Sequence, residues 1–126
     1  MSGNPRYLLD TNALVSLLAG NRLLAQKLES SSFVGISIIS YLEFLAFDGL
    51  SERDRNCFSQ FCERIEVVPL NLDEQPLLME TLTLRSTHRL KLPDAIIGAA
   101  ALHRNAVLIT NDSHFHNIPQ LTVQSC

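Results

Sequence analysis

Residues 7–12 read Tyr-Leu-Leu-Asp-Thr-Asn, an apolar run that ends abruptly in polar side chains. The run predicts a short buried strand, and the apolar residues at positions 14, 15, 17 and 18 recur at the spacing of a helix that Gly20 would end. The same alternation continues along the chain. Further strands are predicted over residues 34–38, 65–70, 106–110 and 121–124.

Helices are predicted between these strands. Ser51 and Asp54 stand three residues apart, the spacing of a capping box, and predict that a helix begins there. The other predicted helices cover residues 22–29, 41–47 and 73–88, with a last one starting at Pro93. Short strands separated by helices indicate right-handed crossovers and a mainly parallel sheet of four to five strands. The predicted fold class is therefore α/β, with helices on both faces of the sheet.

Composition narrows the class of protein. The 126 residues fit one domain, taken here as residues 1–126, and 46% hydrophobic with 18% charged residues rules out a disordered chain or a coiled coil. The net charge of −3 disfavours a protein that coats DNA. The longest apolar run, residues 95–102, is too short to span a membrane. Three cysteines without metal-ligand spacing predict reduced thiols and a cytoplasmic location.

Four acidic residues lie at or near the predicted strand ends. Asp10 directly follows the first strand, and Asp112 follows the fourth. Glu43 lies in the helix after the second strand, and Asp94 in the first turn of the helix before the fourth. Because ligand sites of parallel sheets lie beyond the carboxyl ends of the strands, we expect these four acids to converge.

Three of the four acids also have ordinary structural explanations. Asp10 could cap the helix that follows it. Asp94 could be a first-turn acid that the helix dipole favours, and Asp112 could close an Asx-turn. Taken one at a time, these explanations are favoured over a functional one.

Glu43 is harder to explain as a structural residue. The residues one helical turn before and after it, Ile39 and Phe47, are apolar, and no basic residue lies within a turn. A carboxylate on such a face needs a partner or a cation, so we expect the other three acids to lie close to Glu43. Crowded carboxylates protonate or hold a cation, and all-oxygen ligands favour Mg²⁺ or Mn²⁺ over Zn²⁺. One or two such ions suit phosphoryl transfer or nuclease chemistry.

Four segments together resemble the PIN-domain nucleases. They are Tyr-Leu-Leu-Asp10-Thr-Asn12, Ile-Ser-Ile-Ile-Ser40-Tyr-Leu-Glu43-Phe, Leu-Pro-Asp94-Ala-Ile-Ile-Gly-Ala-Ala and Leu-Ile-Thr110-Asn-Asp112-Ser-His-Phe115. They span nearly the whole chain in the order and at the spacing typical of that family. The chain is also similar in size to the VapC-type toxins of toxin–antitoxin pairs.

The resemblance implies a three-layer α/β/α PIN-like fold and a Mg²⁺- or Mn²⁺-dependent endoribonuclease that cleaves RNA with metal-activated water. It implies that the acidic cluster, both catalytic and metal-binding, consists of Asp10, Glu43, Asp94 and Asp112. The polar supports would be Asn12, Ser40 and Thr110. Many relatives carry one more acid before the closing phenylalanine, where this chain has His114.

The resemblance also implies partners: an RNA substrate, a cognate antitoxin protein and a second copy of the chain in a homodimer, with no membrane. The alternative is a catalytically silent PIN-like domain that binds RNA or a protein, and a purely structural α/β domain comes third. A basic segment contains Arg85, His88, Arg89 and Lys91. It could contact RNA phosphates or simply stabilise the end of a helix. His114 and His116 could recruit a transition metal, but because loop histidines are usually solvated, we expect solvated side chains.

Overall fold

Five short strands and six α-helices follow one another along residues 4–126, the part of the chain that this computed structural model describes. The strands are β1 (Arg6–Leu9), β2 (Phe33–Ser37), β3 (Glu66–Val68), β4 (Val107–Ile109) and β5 (Val123–Gln124). The helices are α1 (Thr11–Leu18), α2 (Arg22–Glu29), α3 (Ile38–Leu45), α4 (Glu52–Arg64), α5 (Gln75–His88) and α6 (Leu92–His103). A 3₁₀ turn, Ser113–Phe115, follows β4.

The strands form one parallel sheet in the order β3-β2-β1-β4-β5, which confirms the predicted fold class. The central strand β1 pairs with β2 on one side and β4 on the other, so that Leu9 lies opposite both Ile36 and Ile109. The carboxyl ends of these three strands are therefore side by side. Whatever follows each strand meets the others at the same edge of the sheet.

Alternate residues of the strands face two separate cores. Leu8 and Leu108 pack against α5 and α6, whereas Leu9 and Ile109 pack against residues from α1 to α4. Each of these four side chains is fully buried. Helices thus cover both faces of the sheet, as the composition predicted.

Several boundaries differ from the prediction because hydrogen bonding ends the elements earlier than hydropathy does. Strand β2 ends at Ser37, whose hydroxyl accepts the backbone N–H of Ser40 at 3.2 Å and thereby starts α3 at Ile38. Helix α3 ends at Leu45 and not at residue 47. Strand β3 pairs only with residues 35–37 of β2, so it is limited to three residues. Helix α5 begins at Gln75, two residues after the predicted start.

Helix α6 packs closely on its neighbours because its middle is built from small residues. A Cβ atom added at Gly98 would lie 3.2 Å from the Leu84 side chain of α5. This close packing fixes the amino end of α6, which carries Asp94, beside the sheet. The capping box of Ser51 and Asp54 is present at the start of α4. Within residues 4–126 no helix is long and apolar enough to cross a membrane.

Candidate active site

The four acids of the sequence analysis line one cavity of about 450 Å³ at the carboxyl edge of the sheet. Asp10 follows β1, Asp112 follows β4, Glu43 comes from α3 and Asp94 from the first turn of α6. Four elements thus contribute one carboxylate each. The remaining lining residues are Thr11, Asn12, Ala46, Phe47, Ile97 and Phe115.

Asp10 is buried and held by two different groups. Its Oδ1 accepts the backbone N–H of Ala13 at 2.8 Å and so caps α1, as the structural explanation predicted. Its Oδ2 accepts a hydrogen bond from the Thr110 hydroxyl. Because that hydroxyl accepts the N–H of Asp112 at 2.9 Å, its own proton points to Asp10. Burial raises the pKa of Asp10, nearby Asp112 and Glu43 add to the rise, and the two hydrogen bonds oppose it.

Glu43 is not buried on an apolar face, so this part of the sequence argument is wrong. The Glu43 side chain is exposed because it points from α3 into the mouth of the cavity. Helices α1 and α6 begin near the same mouth. The hydroxyl of Thr11 donates a hydrogen bond to its Oε1. The acids expected near Glu43 are nevertheless present, since Asp10, Asp94 and Asp112 line the same cavity.

Thr11 is a site residue that the sequence analysis quoted but gave no role. Its Oγ1 contacts Glu43 and also lies 3.0 Å from Oγ of the buried Ser40. A carboxylate only accepts hydrogen bonds, so the Thr11 proton goes to Glu43 and Ser40 donates to Thr11. Ser40 therefore reaches Glu43 through Thr11. The signal in the sequence was a hydroxyl directly after Asp10.

Asn12 lines the cavity with an exposed side chain. Within residues 4–126 its amide makes no hydrogen bond to any of the four carboxylates, whereas Thr110 donates to Asp10 and Ser40 reaches Glu43 through Thr11. A role for Asn12 as a polar support stays a prediction.

Asp94 and Asp112 face each other across the edge of the cavity. Burial raises the pKa of Asp94, with Asp112 as the next cause and Glu43 as a smaller one, while His114 and Lys91 oppose the rise. Asp94 has no hydrogen-bond or ion-pair partner within the described part of the chain. Asp112 closes a turn as predicted, because its Oδ1 accepts the N–H of His114 at 2.9 Å.

His114 is exposed, as a loop histidine should be, yet its ring turns back toward the acids. Its Nδ1 lies 2.8 Å from Oδ1 of Asp112. One ligand atom each of Asp94, Asp112 and His114 lie within 4.8 Å of one another. The ring is largely exposed to solvent, as expected, and the 3₁₀ turn also brings it into contact with Asp112.

A family model described as the PIN domain matches residues 7–121. The chain belongs to the PIN-domain family. This confirms the resemblance carried by the four sequence segments. Among curated protein sequences, none matches this PIN domain significantly.

Solved structures with the same fold include a toxin–antitoxin complex and VapBC structures. A toxin–antitoxin complex from Klebsiella pneumoniae is 29% identical, with 92% of this chain and 95% of that chain covered and a TM-score of 0.76. VapBC-1 from nontypeable Haemophilus influenzae is 25% identical, with 94% and 96% covered and a TM-score of 0.78. DNA-bound VapBC2 from Rickettsia felis is 22% identical, with 94% and 97% covered, and shares the fold with a TM-score of 0.80.

A second cavity of about 460 Å³ borders the acidic one in this PIN domain. Asp94 and Asp112 line both, and His88, Arg89 and Lys91 line the second. The side chains of Asp94 and Asp112 therefore lie between an acidic pocket and a groove lined by basic side chains.

Arg85 does not line this groove. Its Nη1 donates to the carbonyl of Leu90 at 3.0 Å, just beyond the left-handed Arg89 that ends α5. This arrangement matches the helix-end explanation for that arginine.

The donor set of the acidic cavity fits a hard divalent cation. Its polar lining consists of carboxylate, hydroxyl and amide side chains, and none of its lining residues is basic. Three of the four acids have no ion-pair partner within residues 4–126, and Asp112 has only His114. Oxygen ligands with uncompensated negative charge are what Mg²⁺ and Mn²⁺ bind. Burial raises the pKa values of Asp10 and Asp94, and the neighbouring acids add to the rise.

Proposed function

We propose that this PIN domain is a metal-dependent endoribonuclease, the VapC-type toxin of a toxin–antitoxin pair. The observation that carries the proposal is the convergence of four carboxylates on one cavity that no basic side chain lines. Asp10, Glu43, Asp94 and Asp112 would hold one or two Mg²⁺ or Mn²⁺ ions there. A cation bound by them would activate water and stabilise the leaving oxygen when an RNA phosphodiester is hydrolysed.

The hydroxyl groups around the acids keep the carboxylates in position. Thr110 bridges Asp10 and the backbone of Asp112, and thereby links the ends of β1 and β4. Thr11, supported by Ser40, holds Glu43 in the cavity. Because the hydroxyls of Thr110 and Thr11 each donate to a carboxylate oxygen, they keep the other lone pairs of these carboxylates directed at the cavity. Asn12 is the remaining polar side chain at its rim.

RNA is an anion, so its binding beside four carboxylates needs basic side chains nearby. The groove beyond Asp94 offers Arg89 and Lys91, both exposed, within the cavity that shares Asp94 and Asp112 with the acidic pocket. A phosphate group bound next to Asp94 and Asp112 would have the basic side chains of Arg89 and Lys91 on one side. We propose that Arg89 and Lys91 contact RNA phosphates, whereas Arg85 acts on the end of α5 and contributes to RNA binding only through its charge.

A protein partner is the second part of the proposal. Two of the similar structures are described as toxin–antitoxin or VapBC complexes, and we propose a cognate antitoxin that covers the acidic cavity in the cytoplasm. A homodimer is proposed as well. Large apolar side chains are exposed on and beside α5, as a protein interface would require: Leu72, Met79, Leu82 and Leu92. Light scattering of the purified chain gives its oligomeric state.

Expression of the chain without a partner tests the proposal in cells. The wild-type chain should arrest growth, and Asp10→Asn should be harmless although asparagine can still cap α1. Glu66→Gln, far from the cavity, is the matched control and should remain toxic. Equal toxicity of the wild type and Asp10→Asn would reject the mechanism.

Purified protein separates cleavage from binding. A ribonuclease shortens RNA in the presence of Mn²⁺, whereas a silent PIN-like domain retards RNA on a gel and leaves its length unchanged. Retardation without shortening, by protein that the metal stabilises, would favour the binding module.

A further inference from the structure

His114 adds a nitrogen atom to an otherwise all-oxygen site. Its Nδ1 is 2.8 Å from Oδ1 of Asp112, and the two side chains come within 4.8 Å of a carboxylate oxygen of Asp94. A second contact holds His114 in this position, because its backbone N–H also donates a hydrogen bond to Asp112.

The hydrogen bonds of Asp112 leave one of its oxygens available. Oδ1 receives both the backbone N–H and the ring nitrogen of His114, whereas Oδ2 has no donor within residues 4–126. Asp94 likewise has no protein donor in that part of the chain. Oδ2 of Asp112 and the carboxylate of Asp94 are therefore free to turn toward a single cation. The imidazole Nδ1 lies beside them and can become a ligand when it gives up its contact with Oδ1 of Asp112.

Nitrogen ligands discriminate between the two ions that the acidic cavity fits. Mg²⁺ is a hard ion that takes oxygen ligands and gives up its water reluctantly. Transition-metal ions accept imidazole, and their affinity for a mixed nitrogen and oxygen site exceeds that of Mg²⁺. A histidine at this position therefore changes which ion is held more tightly.

We propose that His114, together with Asp94 and Asp112, ligates the divalent cation through Nδ1 and makes the site select Mn²⁺ over Mg²⁺. The inference rests on the proposed function in that the acidic cavity binds a cation. As a ligand the ring would be the tautomer that carries its proton on Nε2, so that the lone pair of Nδ1 is available to the cation. His114 is thus a ligand that determines metal specificity.

Electron paramagnetic resonance of Mn²⁺ bound to the RNA-free protein tests this directly. Electron spin-echo envelope modulation distinguishes a coordinated imidazole nitrogen by its large isotropic ¹⁴N coupling, which nitrogens that are only near the ion do not give. The wild type should show this coupling, and His114→Ala should lose it. His116→Ala is the matched control, an exposed histidine two residues away that is outside the cluster, and should keep it.

Metal affinities give the second readout. In His114→Ala we expect Mn²⁺ to bind about 10- to 100-fold more weakly, a loss of the size seen when groups around a metal are removed. Mg²⁺ affinity, measured by the same calorimetric titration, should change much less. His114→Asp restores an oxygen ligand and should reduce the preference for Mn²⁺ without abolishing binding.

The outcomes separate this inference from the proposed function. Mn²⁺ bound by the wild type without ¹⁴N coupling overturns the role of His114 and leaves the carboxylate site intact. Coupling that persists in His114→Ala overturns it as well, because another histidine then supplies the nitrogen. Failure of the wild type to bind either ion contradicts the proposed metal dependence and the inference together.

Discussion

The two ends of the parallel sheet hold carboxylates in opposite electrostatic surroundings. At the amino end, Glu66 of β3 accepts hydrogen bonds from Arg104 Nε at 2.8 Å and Nη2 at 3.0 Å, and this contact lowers the pKa of Glu66. At the carboxyl end, Asp10 and Asp94 have raised pKa values, with burial as the largest cause. One end pairs its acid with an arginine, and the other gathers acids together.

The contrast shows that the neighbours of an acidic residue, and not its type, indicate its role. A carboxylate that forms a two-point contact with arginine contributes modestly to stability and needs nothing further. Carboxylates held near one another without a basic partner cost stability in the absence of a cation. Such an arrangement is typical of functional sites. The predictions below test this difference between the two ends.

The largest effect is expected from Asp10→Asn at the carboxyl end. Asparagine can still cap α1, so the protein should fold, but one anionic ligand is gone. Cleavage of RNA in Mn²⁺ should fall by about 100-fold or more, because even residues that only support metal ligands are worth about 10- to 100-fold. Initial cleavage rates measure the effect. A loss below tenfold would place Asp10 outside the reacting centre.

Metal binding should stabilise the fold through the carboxyl end alone. At an ion concentration ten times its Kd the free energy of unfolding rises by about 1.4 kcal/mol, or roughly 5 °C in Tm for a chain of this size. Thermal denaturation with Mn²⁺ should show this rise for the wild type and for Glu66→Gln. In Asp94→Asn the rise in Tm with Mn²⁺ should be much smaller. An unchanged rise in this variant would contradict metal binding at the carboxyl end of the sheet.

Glu66→Gln should destabilise the protein modestly at neutral pH and leave cleavage unchanged. The side chain is 40% exposed, so the ion pair with Arg104 is worth about 0.5–1 kcal/mol, or roughly 2–4 °C. Because its folded pKa is lowered, this stabilisation is present above the unfolded pKa of about 4.3 and is lost as the pH falls through the folded value. Denaturation of both proteins at pH 7 and below pH 3 should therefore show a difference that disappears in acid.

The smallest effect is expected for Asp94→Asn without metal. Asp94 has no donor to lose within residues 4–126, and its raised pKa means that its surroundings disfavour the charge despite the helix dipole. Removing the charge should raise Tm by up to about 3 °C in EDTA at pH 7. The same substitution that removes activity should thus stabilise the empty protein. A clear fall in Tm would show that Asp94 is a structural residue.

The sequence predicted the elements because hydropathy and capping are local properties. Asp10 after β1 and Asp112 after β4 could be located from the chain alone, since parallel topology brings strand ends together. The exposure of Glu43 could not, because it depends on the direction in which α3 leaves the sheet. The contacts of Thr11 depend on hydrogen bonds between separate segments, which residue spacing does not encode. The contact of the His114 ring with Asp112 depends on the 3₁₀ turn after β4, which the sequence analysis did not predict.

The most direct test of the account is cleavage of a mixed structured RNA in Mn²⁺ by three proteins, the wild type, Asp94→Asn and Glu66→Gln, each with an EDTA control. The account predicts metal-dependent cleavage by the wild type and Glu66→Gln, and its loss in Asp94→Asn. Cleavage that survives in Asp94→Asn, or that is lost only in Glu66→Gln, would contradict the assignment of function to the carboxyl end of the sheet.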